Sequence, residues 1–561
     1  MSENNGVDKA IKSSTRLFIS GTVVLTVFNI INKLLGLVFK IEILNIIGEE
    51  GNGYFNQAHN VYTTLYMLST AGLPTAVAMM ISEARAKGSF SDMKRIYRVA
   101  LLIFSVVGVV GTAVMIIFSG ELAGTKSASY AIEFIAPTLF FMCIVSILRG
   151  YFQGFQVMTP TAVSEFIESL SKLVIGIFCA AWAIANGEPV YMAAAYAILG
   201  ITVGAGLEMI FLFICKLFFR EKKYCGEYME LPDTQNPTPA STLAKRLILL
   251  AIPITLAASL MPLSELLNMK ILSARLTEMY ASSYSDASEL EAVVNTIYGN
   301  WSMCVTFFDL PPVLIYPIAH SLVPMIKSTL TRGDRERADR FMNFSIRVAA
   351  ILAIPCAFGM AAMAKPILRT IYSESTAESG APLLAIISPA IFFVCMLSVS
   401  NALLQAGGHE RLPMVSIAVG VVIKLLIINF LTPVIGIYAA AVSTLVCYFV
   451  ISALNTFFMI KYVGVKLSFT KMFLRPIIAG AVCAAAAYGS YSLFDMFLSN
   501  AVSTFLGIGV AVIVYVIAIL LIRAVSEEEL LMIPKYGATA VKILKRLRLL
   551  PRSAEAKERE D

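Results

Sequence analysis

The sequence predicts an all-α polytopic membrane protein of about fourteen transmembrane helices, arranged as two six-helix pseudo-symmetric lobes plus two C-terminal helices. Three observations carry this expectation: recurrent apolar stretches, alternating loop charge and an internal repeat. Of 561 residues, 58% are hydrophobic and only 14% are charged, with a mean hydropathy of +0.77. A soluble domain carries roughly a quarter charged residues, and the apolar stretches reach the roughly 20 residues that a membrane-crossing helix needs. The net charge of +7 is no nucleic-acid signature, because the basic residues fall in short loops between apolar runs. No nucleic-acid partner is expected.

The elements follow in order. Residues 1–16 form a polar N-terminal tail, and Leu17 to Phe39 is too long for a signal-peptide core and lacks a cleavage site, so it reads as a retained first helix. The spans are 17–39, 54–81, 97–118, 130–153, 160–185, 190–219, 243–272, 293–325, 341–362, 381–405, 412–432, 436–460, 473–497 and 502–523. Basic loops alternate with acidic or neutral ones. Lys9, Lys12 and Arg16 precede span 1, Arg85, Lys87, Lys94, Arg95 and Arg98 follow span 2, and Arg220, Lys222, Lys223, Lys245 and Arg246 follow span 6. Lys327, Arg332, Arg335, Arg337 and Arg340 follow span 8, and Lys461, Lys466, Lys471 and Arg475 follow span 12. Loop 1–2 carries Glu49 and Glu50, and loop 7–8 carries Glu278, Asp286, Glu289 and Glu291. By the positive-inside rule, both termini are expected in the cytoplasm of a bacterial cell.

Residues 135–153 (IAPTLFFMCIVSILRGYFQ) recur as 387–405 (ISPAIFFVCMLSVSNALLQ), at an offset of 252 without a gap. Over 135–175 there are 12 identities in 41 positions, including Pro137/Pro389, Gln153/Gln405 and Lys172/Lys424. Apolar composition alone would not match a proline, a glutamine and a lysine. The repeat divides the chain into an N-lobe (17–220), a cytoplasmic linker (221–242), a C-lobe (243–461), spans 13 and 14 (473–523) and a basic tail (524–561). Six spans per copy give both copies the same orientation, an architecture that suits alternating access around a cavity. Within the tail, residues 541–550 read as a basic amphipathic helix on anionic lipid.

Ionisable residues inside spans are functional candidates because the bilayer penalises them. Lys172 and Lys424 lie mid-span at matching repeat positions. Glu168 is one turn before Lys172, in the order that favours an i,i+4 pair, whereas Gly420 holds that place before Lys424. Span 1 carries a polar stripe of Asn29, Asn32, Lys33 and Lys40, with Glu42 just beyond. Asp309, before two prolines in span 8, and Glu265 in span 7 join Glu42 as candidates for ion coupling or gating. Glu133, Arg149 and Arg275 read as ordinary interfacial charges near span ends. The set leans cationic and so suits an anionic substrate such as a phosphate or pyrophosphate. The nine cysteines form no C-x-x-C pair, and no metal site or bound cofactor is expected; coupling to membrane potential, Na⁺ or H⁺ stays open.

Three segments, Lys33-Leu-Leu-Gly36, Gly48-Glu-Glu-Gly51-Asn-Gly53-Tyr54 and Leu68-Ser-Thr-Ala-Gly72-Leu-Pro74 through Ser82-Glu83, resemble the polysaccharide-exporter branch of the multidrug/oligosaccharidyl-lipid/polysaccharide superfamily. Within it, the chain resembles the group of lipid II flippases of the MurJ type and stage V sporulation protein B. That resemblance implies a flippase, not an enzyme, for lipid-linked peptidoglycan precursor. The partners it implies are an undecaprenyl-pyrophosphate-linked substrate, membrane lipids and the cell-wall synthesis machinery. Lys33 matches a position usually held by arginine in that group, so a point charge replaces a bidentate fork. Alternatives are a flippase for another lipid-linked sugar, a cation-coupled drug exporter, or a membrane glycosyltransferase, for which no acidic catalytic constellation is present.

Overall fold

The computed structural model describes residues 3–87, 89–219, 238–313, 326, 329, 335–409, 411–465 and 470–522. The fold is all-α, and among the described residues there is no strand. Among the described residues, ten helices are long and apolar enough to cross a membrane, or eleven when the pair Glu374–Ile387 and Ala390–Ala406, bent by 44°, is counted as one broken span. Each expected span is largely helical over its described residues, with turns interrupting the spans at 71–72, 309 and 388–389. The second part of span 8, with Pro317, His320 and Pro324, and the basic tail at 541–550 lie outside the described residues.

The chain forms two compact units, Met1–Ser302 and Met303–Asp561. In the first, α1 (Glu3–Thr70) joins spans 1 and 2 across a kink at Gly48, whose φ of 70° and ψ of −175° interrupt the helical geometry. A residue with a Cβ is strained at that φ, so glycine makes the break affordable. The loop carrying Glu49 and Glu50 is therefore helical, and the interruption that sequence places at 40–53 is a single residue wide. Then come α2 (Leu73–Ala86), α3 (Phe90–Ile117), α4 (Ala128–Gly154), α5 (Thr159–Ala185), α6 (Val190–Phe218), α7 (Ala240–Tyr280) and α8 (Ala287–Phe308). The central element is α4, buried along most of its length and packed by α1, α2, α3 and α6. The helices around it turn large apolar side chains outward, among them Val106, Val109, Val174, Phe178 and Ile210, as lipid-facing surfaces do.

The sequence repeat places α7 and α8 at the start of the second copy. By packing, α7 and α8 up to Ser302 belong to the first unit.

The second unit continues with α9 (Arg335–Ala362), α10 (Ala364–Ile371), α11 (Glu374–Ile387), α12 (Ala390–Ala406), α13 (Leu412–Ile435), α14 (Tyr438–Phe458), α15 (Arg475–Phe494) and α16 (Asn500–Leu521). The repeat-matched prolines behave differently. Pro137 sits within unbroken α4, which neighbours brace on several sides, whereas Pro389 falls at the bend between α11 and α12. Spans 13 and 14 pair as α15 and α16 and pack on α9 and α10 through a core that includes Met363, Cys483, Tyr491, Ala511 and Tyr515. The hydroxyl of Tyr515 donates to the Ile351 carbonyl at 2.6 Å, satisfying the polar tip of that buried ring.

Candidate functional site

In the first unit, α5 presents Glu165, Glu168 and Lys172 at i, i+3 and i+7, one face of a helix. Opposed to it, α1 presents Phe55, His59, Tyr62 and Tyr66 at the same periodicity, as a ladder of rings with centroids 6.1, 6.3 and 5.8 Å apart. From α4, Arg149 reaches this face. Its Nε donates to Glu208 Oε1 of α6 at 2.9 Å, its Nη1 lies 3.4 Å from Glu165 and its Nη2 lies 4.0 Å from Glu168. Glu208 is wholly buried and also accepts from Ser164 Oγ at 2.7 Å. Its second oxygen, Oε2, is buried without a hydrogen-bond partner.

Farther along α5, the Lys172 ammonium lies over the Phe39 ring, 5.0 Å from its centroid, in a cation–π arrangement. Glu168, Lys40 and Lys33 all lie within electrostatic reach of Lys172, and both Lys172 and Lys40 act on His59. Three of the four lysines singled out from sequence thus share one site. Lys33 is exposed, Lys40 and Lys172 are half-buried, and both polar atoms of Asn32 are buried without hydrogen-bond partners. The Asn29 side chain lies outside the described residues.

The other candidates are placed elsewhere. Lys424 is 1% exposed inside the second unit, unlike its repeat counterpart. Asp309 is exposed at the end of α8, Glu42 is exposed on α1, and Glu265 is half-buried on α7 within electrostatic reach of Tyr298. Glu168 makes its ion pair with Arg149, and the guanidinium takes the place that spacing alone assigns to Lys172. Among the described residues, no group of three His, Cys, Asp or Glu side chains could hold a metal ion.

A second polar cluster joins α1 to α8 near the Gly48 kink. Gln57 Nε2 donates to Asn295 Oδ1 at 2.5 Å, and Gln57 Oε1 accepts from the backbone amides of Gly124 and Thr125 at 3.0 and 3.1 Å. Asn52 donates to the Gly299 carbonyl at 2.9 Å, and Asn300 donates to Glu49 at 2.7 Å. The two backbones touch here. A Cβ on Gly53 would lie 2.2 Å from the Asn295 carbonyl oxygen, and one on Gly299 would lie 1.9 Å from that of Glu49. At the far end of α7, Arg246 binds Glu83 of α2, and Thr255 accepts from the Gly72 amide at 3.0 Å. The α7–α8 hairpin is thus fastened to the first copy at both of its ends.

Comparison with known proteins gives this arrangement a family. Residues 18–330 match the polysaccharide biosynthesis protein family, and residues 302–431 match the MatE family. The first match alone spans more than half of the chain.

The chain belongs to the polysaccharide biosynthesis protein family.

Among its relatives is the lipid II flippase MurJ of Bacillus subtilis (strain 168), 25% identical over 79% of this chain and 82% of that protein. Stage V sporulation protein B of the same organism is 23% identical over 94% of this chain and 99% of that protein. A solved lipid II flippase MurJ structure in an inward closed conformation superposes with a TM-score of 0.66, at 14% identity, over 88% of this chain and 98% of that one. An inward-facing multidrug resistance MATE transporter gives 0.58 at 14% identity, over 76% and 93%. With ten membrane-crossing helices among its described residues, the chain is a multi-pass membrane protein, and the relatives it resembles include a flippase and a multidrug transporter.

For this member of the polysaccharide biosynthesis protein family, sequence reading missed Arg149, Glu165, Glu208 and the His59–Tyr62–Tyr66 ladder. One signal was available. Glu208 is the one carboxylate inside span 6, two turns from Lys216, and a carboxylate at that depth calls for a cation from a neighbouring span.

Proposed function

We propose that this chain is a flippase for a lipid-linked oligosaccharide, with lipid II as the first candidate. It carries the head group across the bacterial cytoplasmic membrane by alternating access, with both termini in the cytoplasm. The observation that carries the reading is the convergence of Lys33, Lys40 and Lys172 on one face of the first unit. Lys40 and Lys33 each repel Lys172, and a pyrophosphate binding there relieves that repulsion while gaining charge-assisted hydrogen bonds. Asn32 adds two unused polar atoms on the same helix for sugar or phosphate oxygens.

The Gln57–Asn295 cluster and the Gly53/Gly299 crossing then act as the closure on the extracytoplasmic side, and Glu83–Arg246 as the closure on the cytoplasmic side. Each opens in turn during a cycle driven by membrane potential, Na⁺ or H⁺. A cation-coupled drug exporter is the second reading, supported by the MatE match over 302–431. Such a pocket should lean acidic, and here the half-buried lysines count against it.

Complementation of a flippase-depleted bacterial strain tests the first reading. The wild-type chain should restore growth, and Lys172→Ala and Lys40→Ala should fail while still inserting in the membrane. Full complementation by both variants removes the role given to these lysines. Drug sensitivity on deletion, with normal cell-wall synthesis, favours the second reading.

A further inference from the structure

The three carboxylates around Arg149 are of two kinds. Glu208 is fully buried and shares one oxygen between the Arg149 Nε at 2.9 Å and Ser164 at 2.7 Å. That pair compensates its own charge. Glu165 and Glu168 sit farther from the guanidinium, at 3.4 and 4.0 Å, and their side chains keep 25% and 26% exposure. A purely structural ion-pair network closes its short bonds and excludes water, because loosely paired interior charge stabilises little. These two glutamates instead remain partly exposed, on the helix face that leads to Lys172.

The guanidinium has five N–H donors. With its Nε and Nη2 directed to Glu208, its Nη1 edge is left to Glu165. Lys172 lies one turn beyond Glu168 and acts on it through space, with its ammonium resting on the Phe39 ring. Tyr62 and Tyr66 face the same carboxylates from α1, and His59, Lys40 and Lys33 complete the charged groups around the site. Two loosely held carboxylates thus flank Arg149, one of them a single turn from Lys172.

We propose that Glu165 and Glu168 are internal stand-ins for the substrate's anionic group, both paired with Arg149 in the empty protein, Glu168 also acting through space on Lys172, and displaced when a diphosphate-class anion binds. Arg149 then becomes a further substrate contact through its Nη1 edge. The proposal rests on the reading that Lys172 receives a phosphate. It explains why acidic residues line a cationic site: an empty site of bare cations inside a membrane is unstable and would hold any small anion. A built-in competitor sets a threshold that a doubly charged diphosphate clears and a monovalent anion does not.

The test uses the purified full-length chain and measures thermal stabilisation and affinity with inorganic pyrophosphate and, separately, sulfate. Glu168→Gln and Glu165→Gln remove the competitor without changing volume, so each should bind pyrophosphate at least about 5-fold more tightly than wild type. Glu168→Asp keeps the charge and should respond like wild type, and Arg149→Gln should bind more weakly. A wild type indifferent to pyrophosphate, beside glutamine variants stabilised by sulfate, keeps the stand-in and removes the diphosphate reading of Lys172. Glutamine variants that respond to neither anion more than wild type overturn the stand-in, whatever lipid the protein carries. Should Glu168→Gln fail to fold, Glu165→Gln carries the same expectation.

Discussion

Replacing Arg149 with Met isolates the electrostatics that hold the first unit together. The substitution keeps a long apolar stem and removes the guanidinium, leaving Glu208, which has no exposed side-chain surface, without its cation. Breaking a buried pair by deleting one partner costs about 3–5 kcal/mol, because the remaining charge is uncompensated. Glu165 and Glu168 also lose their nearest cation, which places Arg149→Met at the upper end of that range. Glu208→Gln keeps the shape and the Ser164 hydrogen bond and should lose about 1.5–3 kcal/mol, the value of a hydrogen bond to a charged group. The double variant removes both charges together and should be less destabilised than the sum of the singles by about 1–3 kcal/mol. Equilibrium unfolding of purified protein in mixed micelles measures all three. An Arg149→Met protein within about 1 kcal/mol of wild type, or strict additivity in the double variant, refutes the buried-pair account.

Further expectations concern the two fastenings of α7 and α8. Gly299→Ala places a methyl group against the Glu49 carbonyl oxygen and should destabilise the closed α1–α8 crossing by about 1–3 kcal/mol, read as a lower unfolding midpoint. In a background without the native cysteines, Gln57→Cys paired with Asn295→Cys should cross-link on oxidation, stop transport, and recover on reduction. Transport unaffected by the cross-link excludes this contact as a closure. Hydrogen bonds from Arg246 and Lys87 hold the Glu83 carboxyl down to about 2, from an ordinary value near 4.5. Its stabilisation is therefore present above pH 4.5 and fades as pH falls toward 2. Thermal midpoints of wild type and Glu83→Gln should differ by a small, constant amount at neutral pH and converge on acidification. The difference stays small because half-exposed ion pairs are screened.

Much of the fold was legible in the sequence, because hydropathy and loop charge are local properties. The span limits drawn at 130–153 and 160–185, for example, fall within a few residues of α4 and α5. The kink at Gly48 was less legible, because a charged Glu49-Glu50 pair reads as a loop when it can equally ride on a helix end. The packing of α7 with the first copy was hidden, since a repeat records common descent and not which contacts hold in one conformation. Lys33, Lys40 and Lys172 were found because a lysine deep in an apolar run is conspicuous. Arg149 was taken for interfacial charge because depth along a span says nothing about facing, and Arg149 faces inward to partners on α5 and α6. Such a cluster is assembled from positions 149, 165, 168 and 208 and becomes visible only when the three helices are brought together.

The central claim is that the lysine face of the first unit receives the diphosphate of a lipid-linked sugar during transport. Its most direct test is reconstitution of the purified chain into vesicles carrying lipid II, following arrival of head groups at the opposite leaflet with a membrane-impermeant label. The account predicts that wild-type protein accelerates arrival and that Lys172→Ala and Lys40→Ala do not. Lysine variants as fast as wild type, or no acceleration of lipid II or any other undecaprenyl-diphosphate-linked sugar, would contradict it.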